Sequence, residues 1–261
     1  MEMIVQNLGF AYDQKPVLQD INLRLKPGYF YSILGPNGCG KTTLLDLLIR
    51  HHRADTGTIM LEKKSIHDFT QKQLARAIAL VCQGYDINFP FTVKEIVMMG
   101  RHPHIARFAR PGSEDVQIVD RIMERTGIKG LMNRRINRLS GGERQRCVVA
   151  RALCQATPLL FLDEAFSSMD INHTLRLLNI VKTEVLKSNR TVVSVFHDIN
   201  LAAAWSDSLV FMKQGRIIAA GQTDDVLDEE MVRQVFEVES RVEFNPYSRA
   251  RQASFKAGYL E

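Results

Sequence analysis

The sequence predicts an α/β fold built on a phosphate-binding loop, and three observations carry that prediction. An apolar segment runs into a glycine-rich loop and then a helix-forming stretch, "YFYSILGPNGCGKTTLLDLLIR", Tyr29 to Arg50. A second apolar segment ends in two adjacent carboxylates, "PLLFLDE", Pro158 to Glu164. Between it and a third, "TVVSVF" (Thr191 to Phe196), Leu175, Leu178, Val181 and Val185 recur at helical spacing, giving a strand, helix, strand unit.

Along the chain, "MIVQNLGFAY" and "VLQDINLRL" alternate apolar and polar residues. They predict strands joined by a turn at Asp13 to Pro16, so residues 1–30 form a mainly antiparallel β subdomain. Tyr29 to Leu34 reads as a buried strand and Thr42 to Arg50 as the helix after the loop. Residues from about 85 to 140 read as a helical, arginine-rich subdomain. The late segment "LVFMKQGRIIAAGQTDDVLDEEMVRQVF" predicts a β-hairpin and then a short helix, and about 222–261 is expected to be a helical tail. The end of that tail, "NPYSRARQASFKAGYLE", points to no chemistry.

The 261 residues are 45% hydrophobic, ample for a packed interior in a single domain spanning 1–261. The net charge of +5 is unevenly spread: Arg101 to Arg151 holds twelve Lys/Arg against five Asp/Glu, so the remainder is slightly acidic. Cys39, Cys82, Cys147 and Cys154 form no C-x-x-C pair, which predicts reduced thiols and no structural zinc site. The N-terminus has neither a basic n-region nor an apolar h-region, and no run has the ~18 apolar residues of a membrane span. Any membrane crossing is therefore expected from another chain.

Three motifs carry chemistry. "GPNGCGKT" (Gly35 to Thr42) fits G-x4-G-K-[ST] between a strand and a helix. Gly35, Gly38 and Gly40 let backbone N–H groups turn toward phosphate oxygens, Lys41 brings a charge for the β- and γ-phosphates, and the Thr42 hydroxyl is a Mg²⁺ ligand. In "LLFLDE", Asp163 is placed to hold the Mg²⁺ shell and Glu164 to orient or deprotonate an attacking water. "LSGGE" (Leu139 to Glu143) is a capping box before an apolar-periodic helix, yet two glycines in a first helical turn cost about 1 kcal/mol each relative to alanine. That bare backbone also suits a phosphate, and the two readings are compatible.

A phosphate loop, Gln83 after an apolar strand, "LSGGERQR", "LLFLDE", "SSMD" and a lone His197 after "TVVSVF", in that order, resemble the ATP-binding-cassette (ABC) ATPases over essentially the whole chain. The resemblance implies a P-loop NTPase fold of the ABC type: a mixed RecA-like core sheet flanked by helices, with the antiparallel β and helical subdomains. It implies ATP and Mg²⁺ as cofactors and a head-to-tail homodimer. Gly35, Pro36, Asn37, Gly38, Cys39, Gly40, Lys41, Thr42 and Thr43 of one subunit and Ser140, Gly141 and Gly142 of the other then enclose one ATP. By the same resemblance Tyr12 stacks on adenine, Gln83 senses metal and attacking water, Asp170 joins the dimer seam and His197 contacts the γ-phosphate. Where the family has Pro-Thr-Ser after the acidic pair, this chain has Ala165-Phe166-Ser167, which loosens the backbone beside Glu164 and puts Phe166 near the seam.

"FPFTVKEIVMMGRHPH" (Phe89 to His104) is similar to the ATPases of importers for iron(III)-siderophores, heme and vitamin B12. The resemblance implies an ATP-hydrolysing importer subunit, peripheral on the cytoplasmic face of the inner membrane, with separate permease subunits and, indirectly, an external binding protein. Molybdate or another cargo is the alternative. A soluble cassette ATPase acting on nucleic acid is the more distant one, since the chain has a single cassette with no coiled-coil insertion; nucleic acid is not an expected partner. "VMMGRHPHIARFARPG" (Val97 to Gly112) is expected to grip a membrane partner, with Val97, Met98 and Met99 lining a groove and arginines at its rim. Cys39, inside the loop, is expected to be open to alkylation that blocks nucleotide.

Overall fold

The computed structural model describes residues 1–82, 89–167 and 169–256. Where the sequence predicts one domain, residues 1–68 with 193–261 form one compact unit and 69–192 a second.

The first unit opens with β1 (Met3–Tyr12) and β2 (Lys15–Leu25), antiparallel as predicted. Their connection is two residues long: Tyr12 pairs with Lys15, and Asp13 and Gln14 take φ of 46° and 66°. Positive φ at both central positions is the type I′ turn that matches strand twist, and Asp is among the residues that tolerate it. Next come β3 (Phe30–Leu34), buried at every residue, α1 (Lys41–Leu48), β4 (Thr56–Leu61) and the short β5 (Lys64–Ser65). The first sheet runs β2-β1-β4-β5. Helix α1 turns Leu44, Leu45, Leu47 and Leu48 inward, so its apolar side fixes the direction in which its N-terminus points.

The second unit begins with α2 (Gln71–Ala77), capped by Thr70, and β6 (Ile78–Val81). Helices α3 (Val93–Met99) and α4 (Ser113–Arg125) fall in the span expected to be helical. They pack against α5 (Gly141–Cys154), and β7 (Leu159–Asp163) lies parallel to β6 with Ile78 opposite Leu159. Helix α6 (Ile171–Ser188) buries Leu178, Val181 and Val185 as its spacing predicts, but Leu175 stays exposed; Thr174 and Leu177 complete the inner face instead. The chain returns to the first unit within β8 (Thr191–Val195).

There follow α7 (Ile199–Trp205), β9 (Ser208–Lys213), parallel to β3, and β10 (Arg216–Gln222), antiparallel to β9. The expected helical tail is helical only in α8 (Thr223–Val226) and α9 (Glu229–Phe236). Glu237 ends α9 at φ 61°, and β11 (Ser240–Asn245) and β12 (Ala250–Phe255) then pair as a hairpin. The local signal is short: only "RVEF" (Arg241 to Phe244) alternates polar and apolar residues, and Asn245-Pro246 stops one strand before the next begins. Among the described residues no helix is long and apolar enough to cross a membrane.

Candidate functional site

The glycine loop leaves the end of β3 and enters α1. Gly35 and Gly40 are dictated by close approach. A Cβ on Gly35 would sit 2.1 Å from the Met212 carbonyl oxygen. Gly40, the N-cap of α1, holds φ at 103°, and a Cβ there would lie 2.7 Å from a Leu18 methyl. No side chain caps α1, so the N–H groups of its first turn keep their capacity for an external acceptor. Lys41 folds back into the loop: its ammonium donates to the carbonyls of Gly35 (2.8 Å) and Pro36 (3.0 Å) and is only 6% exposed. Both acceptors are neutral. A buried cation at a helix N-terminus is an unbalanced charge aimed where phosphate would bind.

Thr42 is exposed and Thr43 half-buried at this helix start, while Asn37 and Gly38 are exposed at the loop tip. Cys39 departs from expectation: it is 5% exposed, and burial pushes its thiol above the ordinary range, with the Lys41 charge opposing. It is packing inside the loop, not an open nucleophile.

Two more predicted residues belong to this unit. The Phe196 amide donates to the Ile33 carbonyl at 3.2 Å, so the segment carrying His197 emerges beside the strand end that carries Gly35. His197 itself is exposed. Tyr12, 42% exposed at the end of β1, stands edge-on to Phe10 (4.8 Å between centroids) and to His52 (5.6 Å), so its ring plane is held by two neighbours. The buttress from His52 had no signal in the local sequence.

The second unit carries the rest. Ser140 and Glu143 close a full capping box on α5: the Glu143 amide donates to Ser140 Oγ (3.3 Å), and the Ser140 amide donates to Glu143 Oε2 (2.9 Å). The Ser140 amide is the main cause that holds the Glu143 carboxyl below the usual range. Gly141 is exposed, and a Cβ there would meet nothing within 4 Å. Nothing inside this unit requires that glycine.

Asp163 ends β7, 4% exposed, and Glu164 follows with φ 49°. A glutamate in the left-handed region costs roughly 1 kcal/mol, and such strain gathers at functional sites. Ser167 braces it, its amide and hydroxyl donating to the Glu164 carbonyl at 3.2 and 3.0 Å. Ala165 and Phe166 are buried in the single chain. Asp170 caps α6, accepting from the His173 amide and imidazole at 2.9 Å each, and those bonds lower its pKa. The predicted Gln83 lies outside the described residues.

Part of the basic stretch is architecture, and part is exposed. Arg101 is 7% exposed, donates to Asp115 at 2.8 Å and to the Cys154 carbonyl at 2.9 Å, and keeps the Asp115 carboxyl below the usual range. His104 Nε2 bonds the Gln155 carbonyl at 2.8 Å, and Val97 is fully buried. Met98 and Met99 stay half-buried, and the outward side chains include His102, Arg107, Phe108 and Arg110. The arginine expected at a rim was misread because the local sequence does not show the distant Asp115 carboxylate and Cys154 carbonyl that bury it.

The Thr42 hydroxyl in the first unit and, separately, the buried Asp163 carboxylate in the second are each hard oxygen donors of the kind Mg²⁺ takes. Among the described residues no group of three or more His, Cys, Asp or Glu could hold a metal ion by itself.

A family model described as ABC transporter matches residues 18–167. The cobalamin import ATP-binding protein BtuD of Halobacterium salinarum is 38% identical over 96% of this chain, which spans 62% of that relative's length. The iron(3+)-hydroxamate import ATP-binding protein FhuC of Bacillus subtilis is 34% identical over 92% of this chain and 90% of its own. In solved structures, an inward-facing transporter of the metal-chelate ABC type matches with a TM-score of 0.83 and 30% identity, covering 98% of this chain and 97% of its own.

Proposed function

The chain belongs to the ABC transporter family, and on that premise we propose that it is the ATP-binding and hydrolysing subunit of an importer. The cargo class is a metal chelate such as an iron(III)-siderophore, heme or cobalamin. It works as a homodimer on the cytoplasmic face of the membrane, against separate permease subunits that receive cargo from an external binding protein. The observation that carries the nucleotide reading is Lys41, a buried ammonium whose acceptors are the neutral Gly35 and Pro36 carbonyls at the uncapped start of α1. The cargo class is supported by relatives named for cobalamin and iron(3+)-hydroxamate import and by a metal-chelate type neighbour.

ATP enters with its phosphates on the loop Gly35 to Thr43 and its adenine on Tyr12. Lys41 exchanges loop carbonyls for β- and γ-phosphate oxygens, gaining charge-assisted bonds. His197 meets the γ-phosphate from the adjoining strand end, and Gly141 of the partner subunit closes over it with its neighbours. The Thr42 hydroxyl and the Asp163 carboxylate would hold Mg²⁺, which would supply positive charge against the phosphates; Gln83 is assigned to the same ion by the family resemblance alone. Glu164 accepts hydrogen bonds from the attacking water, so that water and ATP give ADP and phosphate. Because the site is shared between subunits, ATP closes the dimer and hydrolysis releases it, which is the stroke a permease can use.

The nucleic-acid alternative draws on the basic segment, two of whose arginines are engaged inside the fold: Arg101 with Asp115, and Arg125 with Glu184 at 2.7 Å. The test is hydrolysis by the purified complex with its membrane partner. Glu164→Gln should lower turnover at least about 100-fold while ATP still binds. Undiminished turnover in that variant, or isolation from membranes with nucleic acid and no integral membrane protein, would overturn the proposal.

A further inference from the structure

The hairpin β11–β12 has no part in the reading above, yet it is bonded to the helix that follows His197. Asn200 Nδ2 donates to the Ala253 carbonyl at 3.1 Å, and the Ala253 amide donates back to Asn200 Oδ1 at 2.7 Å. One side-chain amide thus satisfies both backbone groups of a strand residue, a two-point contact that fixes orientation as well as distance. The surfaces behind it are small: Ala202 and Ala203 on α7 and Ala250 and Ala253 on β12 are all buried. From its other side the hairpin is tied to the segment around α9. Arg251 donates to the Leu227 carbonyl at 3.1 Å, and the Val242 amide donates to Glu229 Oε1 at 3.2 Å.

His197 sits between pinned residues. Before it, the Phe196 amide is held by Ile33 at 3.2 Å. After it, Asp198 caps α7, its Oδ1 accepting from the amides of Asn200 (2.8 Å) and Leu201 (3.0 Å). Helix α7 has only seven residues; besides its Asp198 cap and the buried Ile199, Ala202 and Ala203, the two-point Asn200 bond to Ala253 is a tie on the direction in which the chain leaves His197. We infer that the C-terminal hairpin positions His197 toward the terminal phosphate through Asn200, which makes Asn200 a positioning residue for ATP hydrolysis.

This inference rests on the proposed contact between His197 and the γ-phosphate. ADP lacks that group, so the readout is the ratio of ATP to ADP affinity, measured on the full chain with Glu164→Gln to keep ATP uncleaved. Asn200→Ala should weaken ATP binding about tenfold, the order expected for losing hydrogen-bonded positioning, and leave ADP affinity within about twofold. Asn200→Asp, which can accept from Ala253 but not donate, should fall between and serves if the alanine variant folds poorly. His197→Ala is measured alongside. If it removes the ATP preference while neither Asn200 variant shifts the ratio, the hairpin is only structural and the inference is overturned, with the role of His197 intact. If His197→Ala itself leaves the ratio unchanged, the γ-phosphate reading has failed and the inference falls with it.

Discussion

Two helix starts in this chain carry glycines, one in the loop before α1 and one in the first turn of α5, and both are expected to face phosphate, yet they are built in opposite ways. At α1 the glycines are required by the fold: Gly40 holds φ at 103°, its missing Cβ leaves room for Leu18, and no side chain caps the helix. At α5 the cap is complete, with Ser140 and Glu143 bonded reciprocally, and Gly141 faces open space. The first helix end is finished only by something from outside, and the buried Lys41 charge says that something is an anion. The second is satisfied alone, and its exposed glycine is free for the partner contact proposed above. A self-sufficient helix end can wait for a partner subunit, whereas an unfinished one needs its ligand within its own chain.

The widest separation of the two should come from alanine at the α1 glycine. Gly40→Ala adds a Cβ 2.7 Å from Leu18 at a φ of 103°, so it should destabilise the protein by about 2 kcal/mol or more and abolish nucleotide binding. Thermal unfolding and ATP affinity check it, and a stable, ATP-binding variant would remove the contrast. Next in size is Ser140→Ala, which takes the hydroxyl from a capping box and should cost about 1 kcal/mol in denaturant unfolding. Unlike the α1 change it should leave ATP affinity of the single chain untouched.

The smallest effect is in pH. Glu143 has its carboxyl pKa lowered in the fold, chiefly by the Ser140 amide. A depressed acid stabilises in full above its unfolded value, about 4.3, and loses that contribution as pH falls through the lower folded value. The stability gap between wild type and Glu143→Gln should therefore be constant near neutrality and shrink as pH falls below about 4. A gap that widened on acidification would contradict the capping geometry.

Much of this contrast was legible in the sequence, for physical reasons. The loop spacing from Gly35 to Thr42, the apolar run before Asp163 and the Ser140 to Glu143 box are local patterns, and local backbone chemistry decides them. What depended on distant contacts was not legible. Arg101 reads as a surface charge until Asp115 and the Cys154 carbonyl, 53 residues away, are found to bury it. Cys39 reads as an open thiol until the packing of the loop closes over it. Glu164 gives no sign of its left-handed backbone, since neither the residue type nor Ala165 demands it. The hairpin at Ser240 to Phe255 was obscured because α9 precedes it and its short strands carry charges on their exposed faces.

Gly141→Ala tests the central claim most directly, because the cap at α5 and the proposed phosphate contact predict opposite signs. Its Cβ meets nothing within 4 Å, and alanine is favoured over glycine in a helix by about 1 kcal/mol. The variant should unfold at equal or higher temperature and bind ATP as single chains like the wild type. Its ATP-dependent dimerisation and hydrolysis should fall about 100-fold, as expected when phosphate donors in a closed site are blocked. Wild-type dimerisation and turnover in that stable variant would show that the glycine at α5 serves no partner's nucleotide.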